Sequence, residues 1–507
     1  MASAMGHGVA DSVLDGQDQI KRGLLWLGSA TIAARLLDVG ATITVVGLLS
    51  TKQMGLASLP LSTCAILESL SGLGIGAALI QAKDLSRDEE SSLFWITSAG
   101  GVALGLILLG LAPVLTTIYS EPRLGPLLAV SALKLVLVGL SVVPLQLLSK
   151  ALQFREIGTV QTLSSLGEGV TKIAFALGGA GAWALVLGNV ARGLVLLIAV
   201  LGFSRFRPRL HCSGSEAKRF MGFGLKVAGS SVLYQVYKNS DNFLIGKLLG
   251  IEALGLYKVA FDVAMQPTEA LIMLVGRVGF PVYSRLSNNL AALRATFLSN
   301  TRSVFLLVAP VAAVIFFAAH PLLELIGAGR WAAAVPAVQV LVWAGLMRSA
   351  TTMFSPVYVA LGKPEYSTLE SLITLVILSS SFWLGLTYFP GLGVLSVCYA
   401  WLLICPLLLG GHVLLMRHLI VLPAATYARA LLAGIGPVPL IVVGLLLLER
   451  VTGVSLPGAL HLLLLAGVAL LLHWAYLQWV LRVRLADLLP KRRRTPVPPE
   501  PAPAVLK

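Results

Sequence analysis

Long apolar stretches broken by short polar interruptions run along almost the whole chain. Runs of more than 18 apolar residues recur, the pattern of bilayer-spanning helices rather than of alternating barrel strands. The stretches fall at about 23–49, 55–81, 93–119, 125–148, 157–178, 181–203, 221–249, 254–283, 295–319, 334–361, 366–389, 392–416, 425–448 and 458–481. The expected fold is an all-α polytopic membrane protein of about 14 transmembrane helices. Composition agrees: 57% of the 507 residues are hydrophobic and 12% charged, where a soluble domain is about a quarter charged. Asp11, Asp15 and Asp18 precede Lys21 and Arg22. No basic n-region leads a short apolar core, so no cleaved signal peptide is expected.

The formal charge of +15 follows topology. With both termini cytoplasmic, the inner segments carry Lys21, Arg22, Lys83, Arg87, Lys150, Arg155, Arg205, Arg207, Arg209, Lys218, Arg219, Arg285, Arg294, Arg302, Lys363, Arg417, Arg429 and a basic tail. The outer side keeps Lys52, Arg123, Lys247, Lys258, Arg330 and Arg450. This is the positive-inside asymmetry, and it accounts for the charge without nucleic acid. Cys64, Cys212, Cys398 and Cys405 show neither metal spacing nor a disulfide framework.

The longest internal connection, SRFRPRLHCSGSEAKRF (204–220), divides the first twelve stretches into two sets of six. The expected organisation is a cytoplasmic segment (1–22), an N-lobe (23–203), this basic loop (204–220), a C-lobe (221–416), two appended helices (417–481) and a disordered Pro-rich tail (482–507). At an offset of 200 residues, LLSTKQMGL (48–56) aligns with LLGIEALGL (248–256), and Asp38 falls on Lys238. That is the signature of a parallel repeat. The outer loops are too short to carry the catalytic groups of a membrane glycosyltransferase or ligase. No GxxxxGK[ST] phosphate loop occurs. A transporter is expected rather than an enzyme, with no bound cofactor.

A charge at the bilayer centre costs at least ~2.5–3.5 kcal/mol, so intramembrane charges need a reason. They are Arg35, Asp38, Glu68, Lys134, Glu168, Lys172 and Arg192 in the first half. The second half has Lys226, Lys238, Asp241, Asp262, Glu269, Arg277, Arg348 and Glu370. Helical spacing predicts three pairs: Arg35–Asp38, Glu168–Lys172 and Lys238–Asp241. Glu168–Lys172 has the ordering of a structural pair. Lys226, Asp262 and Glu370 sit near span ends and are expected to snorkel. Arg348 has no acidic residue within four positions and invites a mobile anion, because guanidinium binds phosphate oxygens in bidentate fashion. Arg35, Lys238, Asn239, Arg277 and Arg348 are the candidate substrate ligands. Asp38, Glu68 and Asp241 are the candidates for coupling a proton or sodium ion. If Lys238–Asp241 opens when an anion competes for the lysine, Asp241→Asn should alter substrate affinity more than folding. Gly-rich SGLGIGAAL (71–79) and FALGGAGAW (175–183) permit close helix approach. Pro267, Pro281 and Pro356 are expected to kink their helices.

Five stretches carry a resemblance: LGIGAALIQAKDLSRDEESSLFW (73–95), VVPLQLLSKALQFREIGTVQT (142–162), GAGAWALVLGN (179–189), YKNSDNFLIGKLLGIEALGLYKVAF (237–261) and FPVYSRL (280–286). In this order and spacing they resemble the polysaccharide transporter (Wzx-like oligosaccharide flippase) family, in the superfamily that also holds multidrug extruders and lipid II flippases. The resemblance implies two six-helix lobes around a cavity opening alternately to either side, with two further C-terminal helices. It implies a cargo of oligosaccharide linked to undecaprenyl diphosphate, moved across a bacterial inner membrane for exopolysaccharide, capsule or O-antigen assembly. The partners it implies are that lipid-linked oligosaccharide, membrane lipids, and the polymerase and glycosyltransferases of the same pathway. The alternative is a cation-coupled small-molecule exporter of the same fold, dependent on Asp38, Glu68 and Asp241.

Overall fold

The computed structural model describes residues 26–71, 79, 85–211, 213–452 and 458–480, with the side chains of 214–228, 230, 273–281 and 452 outside that set. The N-terminal segment, most of 71–79, Cys212 and the tail from 481 therefore lie outside the described residues, as do the side chains of Lys226 and Arg277.

The described residues form helices and turns with no strand. In chain order the helices are α1 (Trp26–Leu48), α2 (Thr51–Ser71), α3 (Arg87–Tyr119), α4 (Leu124–Lys150), α5 (Phe154–Leu177), α6 (Ala182–Phe203), α7 (Gly214–Leu248), α8 (Ile251–Arg285), α9 (Leu290–Gly327), α10 (Val335–Thr351), α11 (Ser355–Ala360), α12 (Pro364–Tyr388), α13 (Leu395–Leu419), α14 (Ala424–Ile435), α15 (Pro437–Thr452) and α16 (Gly458–Trp479). Among the described residues, eleven helical segments are long and apolar enough to cross a membrane, taking α10 with α11 and α14 with α15 as continuous. The long helices α5, α7 and α8 are not among these eleven. These are the ones that carry Glu168 and Lys172, Lys238 and Asp241, and Asp262 and Glu269. Helices with this many ionisable groups must turn them toward other helices.

Local chemistry sets several helix ends. Ser86 accepts from the Glu89 N–H at 3.2 Å while its own N–H donates to Glu89 Oε2 at 2.9 Å, a reciprocal cap that starts α3. Asp88, Glu89 and Glu90 crowd that first turn, where the helix dipole favours negative charge. The basic 204–213 connection docks on it. Arg209 Nη1 reaches Asp88 at 3.1 Å, the Arg209 N–H donates to Ser91 Oγ at 3.0 Å, and Trp95 Nε1 donates to the Arg209 carbonyl at 2.8 Å. Phe206 is buried against Phe94. Pro356 coincides with a true break: α10 stops at Thr351 and α11 restarts at Ser355. By contrast α8 runs unbroken through Pro267 and Pro281.

Within the first six helices α3 packs on α4 and α5 on α6; later in the chain α10 packs on α8, α9 and α13, and α12 on α7. The two sets meet mainly where α2 lies against α7 and α8. A Cβ on Gly55 would stand 1.8 Å from the Ile251 carbonyl oxygen, and one on Gly255 would stand 1.8 Å from the Thr51 carbonyl oxygen. The contact is reciprocal: 55 meets 251 and 51 meets 255, each number shifted by the 200-residue repeat offset. That is the form of a two-fold contact, and only glycine permits backbone on backbone at this distance. At the same end of the bundle, cations cap the orphan carbonyls at helix ends. Arg330 Nη1 donates to the Leu49 carbonyl at 2.8 Å, and Lys247 Nζ to the Ile118 carbonyl at 2.7 Å. Trp331 Nε1 reaches the Val46 carbonyl at 3.1 Å. The end expected to face outward is thus interlocked.

Candidate functional site

Two carboxylates each gather two cations. On the later helices, Glu269 of α8 takes Lys238 Nζ from α7 at 3.1 Å on Oε2 and Arg348 Nη1 from α10 at 2.8 Å on Oε1. On the earlier ones, Glu168 of α5 takes Lys172 Nζ and Arg192 Nη1, both at 2.6 Å. Arg192, from α6, also stands 3.6 Å from Asp38 Oδ2 on α1. A third pair joins Glu68 of α2 to Lys134 of α4 at 2.6 Å.

The charge balance separates these clusters. Lys172 and Arg192 are matched by Glu168 and Asp38, and Lys134 by Glu68, so these two clusters are each neutral, with the exposed Arg35 outside them. Lys238 and Arg348 share one carboxylate, which leaves a formal excess of one positive charge. The trio is reachable: Lys238 and Glu269 keep 28% and 31% of their side chains exposed, while Arg348 keeps 6%. It is also deep. Glu269 stands 18 residues past Ile251 and 16 before Arg285, about 27 and 24 Å at 1.5 Å per residue. The Arg348 guanidinium lies over the Trp401 ring at 5.5 Å, and its Nε has no hydrogen-bond partner.

Several sequence expectations change here. Lys238 and Asp241 share a helix but not an ion pair. Asp241 is fully buried and accepts from the Tyr257 hydroxyl at 2.6 Å, the Asn242 N–H at 2.8 Å and Trp401 Nε1 at 3.3 Å. Residues three apart on a helix are neighbours, but each carboxylate or ammonium found a partner on another element. For the same reason Asp38 pairs with Arg192 rather than Arg35, which is exposed one turn earlier. Arg348 is not unpaired, because Glu269 reaches it from a helix 79 residues away in sequence. Asp262 and Glu370 do not snorkel: Asp262 is ion-paired with Lys258, and Glu370 Oε1 lies 3.4 Å from His412 Nε2. Asn239 Nδ2 donates to its own helix at the Gln235 carbonyl, 2.8 Å away. The neighbouring Asn242 instead ties α7 to α2 through Ser62 Oγ at 2.9 Å. The Glu168–Lys172 pair forms as spaced. Glu269 and Arg192, not singled out from the sequence, emerge as the hubs.

An apolar cleft of about 150 Å³ lies beside the trio's helix, lined by Val39 and Ile43 of α1, Val259 and Val263 of α8, and Ile315 of α9. Among the described residues no His, Cys, Asp or Glu cluster is arranged to hold a metal ion.

Residues 45–336 match the model of a family described as polysaccharide biosynthesis protein. The lipopolysaccharide biosynthesis protein WzxC of Escherichia coli (strain K12) is 25% identical over 329 residues, covering 64% of this chain and 67% of that protein. The teichuronic acid biosynthesis protein TuaB of Bacillus subtilis (strain 168) is 24% identical over 354 residues, covering 68% and 72%. The chain also superposes on the lipid II flippase MurJ in an inward closed conformation, with a TM-score of 0.71 at 12% identity over 90% of this chain and 99% of MurJ. An inward-facing multidrug resistance transporter of the MATE family gives a TM-score of 0.60 at 14% identity over 76% and 95%. These likenesses show a shared all-α polytopic fold. The family match spans more than half of the sequence, and the chain therefore belongs to the polysaccharide biosynthesis protein family of Wzx-like membrane transporters, not to an enzyme family.

Proposed function

We propose that the protein is a flippase that moves an undecaprenyl-diphosphate-linked oligosaccharide across the bacterial inner membrane by alternating access. Lys238 and Arg348 grip the diphosphate. The observation that carries this is the shared Glu269: two cations on one carboxylate present a positive surplus deep in the bundle. Asp241 on α7 is shut away from it by its own three donors. A diphosphate with more negative charge than Glu269 displaces it from the guanidinium fork, and Glu269 recloses the pair when cargo leaves. The apolar cleft between α1, α8 and α9 gives the prenyl chain a lateral exit while the head group stays among polar groups. Arg35, Asn239 and Arg277 remain proposed contacts of the sugar head group. Asp38 and Glu68 remain proposed coupling carboxylates for H+ or Na+, whereas Asp241, with both oxygens held by donors, is assigned a structural role. Both termini are assigned to the cytoplasm, and the polymerase and glycosyltransferases of the same pathway are the proposed protein partners. The interlocked outward end supports a state closed on that side.

Purified protein in proteoliposomes, assayed with a fluorescent diphosphate-linked oligosaccharide, tests the reading. Lys238→Ala and Arg348→Ala should each slow flipping at least tenfold, with normal elution on size exclusion. Arg348→Lys should recover part of the loss, because it restores charge but not the fork. Glu269→Gln should bind cargo more tightly and release it more slowly, because the competitor is gone. Wild-type flipping rates in the two alanine variants would refute the site, and export of small cations without sugar-lipid movement would favour the drug-exporter alternative.

A further inference from the structure

The break between α10 and α11 brings together three groups that the diphosphate site does not use. The Tyr358 hydroxyl, on α11, lies 2.9 Å from His412 Nδ1 on α13. His412 Nε2 lies 3.4 Å from Glu370 Oε1 on α12. The Phe354 ring, at the break itself, stacks on the imidazole with centroids 4.9 Å apart and planes 12° from parallel. The imidazole keeps 8% of its side chain exposed and the carboxylate 19%. These partners define one consistent proton arrangement: Tyr358 O–H donates to Nδ1, and Nε2–H donates to Glu370.

The cluster is under-satisfied. Glu370 Oε2 is buried and has no hydrogen-bond partner, whereas Glu68, Glu168 and Glu269 hold their cations at 2.6–3.1 Å. Groups facing it from the packed helices do not supply a cation. The titratable groups within reach of it are Tyr237 from α7, Tyr358 from α11 and His412 from α13. A buried carboxylate with one idle oxygen and only a long contact to a neutral imidazole is a poor structural tie and a ready proton acceptor.

We propose that Glu370, His412 and Tyr358 form a proton-binding site, distinct from the Lys238–Glu269–Arg348 site. One proton from water is taken up at Glu370 Oε2 and shared through His412, and its presence decides whether the α10–α11 break is held against α12 and α13. The site would give the flippase a proton as coupling ion, and in that respect the inference rests on the flippase reading. Proton binding itself does not.

The test therefore has two arms. Infrared difference spectra of the full-length protein in detergent, titrated from pH 5 to pH 9, should show a buried carboxylic acid band that vanishes in Glu370→Gln. The midpoint of that band should move by more than tenfold in proton concentration in His412→Gln and by less in Tyr358→Phe, which keeps the fold should the histidine variant misfold. In proteoliposomes free of Na+, an imposed pH gradient should accelerate sugar-lipid flipping by wild type and lose at least tenfold of that acceleration in Glu370→Gln. A band that persists in Glu370→Gln, or a midpoint unmoved by both His412→Gln and Tyr358→Phe, overturns the site. Equal gradient acceleration in Glu370→Gln overturns its coupling role. Wild type that flips no sugar-lipid in either condition overturns the flippase reading alone, and the spectra still decide the proton site.

Discussion

Asp241 holds three hydrogen bonds and no salt bridge among the described residues. All three partners donate, so the position requires an acceptor on both carboxyl oxygens. Trp401 Nε1 is donor-only and cannot adapt. Asp241→Asn turns an N–H₂ toward the Trp401 and Tyr257 donors or toward the Asn242 N–H, and leaves a buried donor unsatisfied at a cost of about 1–3 kcal/mol. The expected outcome is a lower thermal midpoint in detergent with cargo affinity retained. Tyr257→Phe, which removes one donor, should cost less. An unchanged midpoint with altered cargo affinity would restore the reading of this residue as a cargo-responsive partner of Lys238. At this scale the sequence shows which residues are out of place in an apolar helix, because a charge among Leu and Ile needs no fold to be noticed. It does not show their partners. Lys238 and Glu269 are 31 residues apart, Arg348 and Glu269 are 79 apart, and helical spacing is silent on both.

The helices α2 and α8 touch through glycine. A β-carbon at Gly55 meets backbone rather than a flexible side chain, so the helices themselves must part. Gly55→Leu should open the outward end, and the matching Gly255→Leu should do the same because the contact is reciprocal. Membrane-impermeant thiol labelling of a cysteine at Leu59, buried one turn below Gly55, should rise at least tenfold from the outer side in either variant. Unchanged labelling would mean that the two helix ends do not seal the cavity. Much of this element was legible beforehand: the repeat offset of 200 already aligned Gly55 with Gly255. The alignment alone could not say that equivalent residues touch. The α10–α11 interruption followed Pro356, while Pro267 and Pro281 left α8 continuous, so proline gave the place of a break only where the surrounding packing allowed it.

Over the whole molecule, hydrophobic periodicity carried the fold class, because a bilayer demands long apolar helices and leaves few alternatives. The two cations on Glu269 come from helices far apart in sequence, which is why the candidate site was only half readable. Orientation rests on the distribution of Lys and Arg. The 204–213 connection, strapped to the acidic start of α3, should lie on the inner side. In a background without Cys212, a cysteine at the exposed Leu210 should label in inside-out vesicles and stay unlabelled in intact cells. Labelling in intact cells would invert the topology and with it the direction of transport.

The glycine contact between α2 and α8 has one more consequence. A seal made of main chain is indifferent to side chains elsewhere, so substitutions that reshape the interior for a new sugar leave it untouched. Cargo preference and closure can then drift independently, and a lineage can exchange one surface polymer for another without relearning how to shut the door.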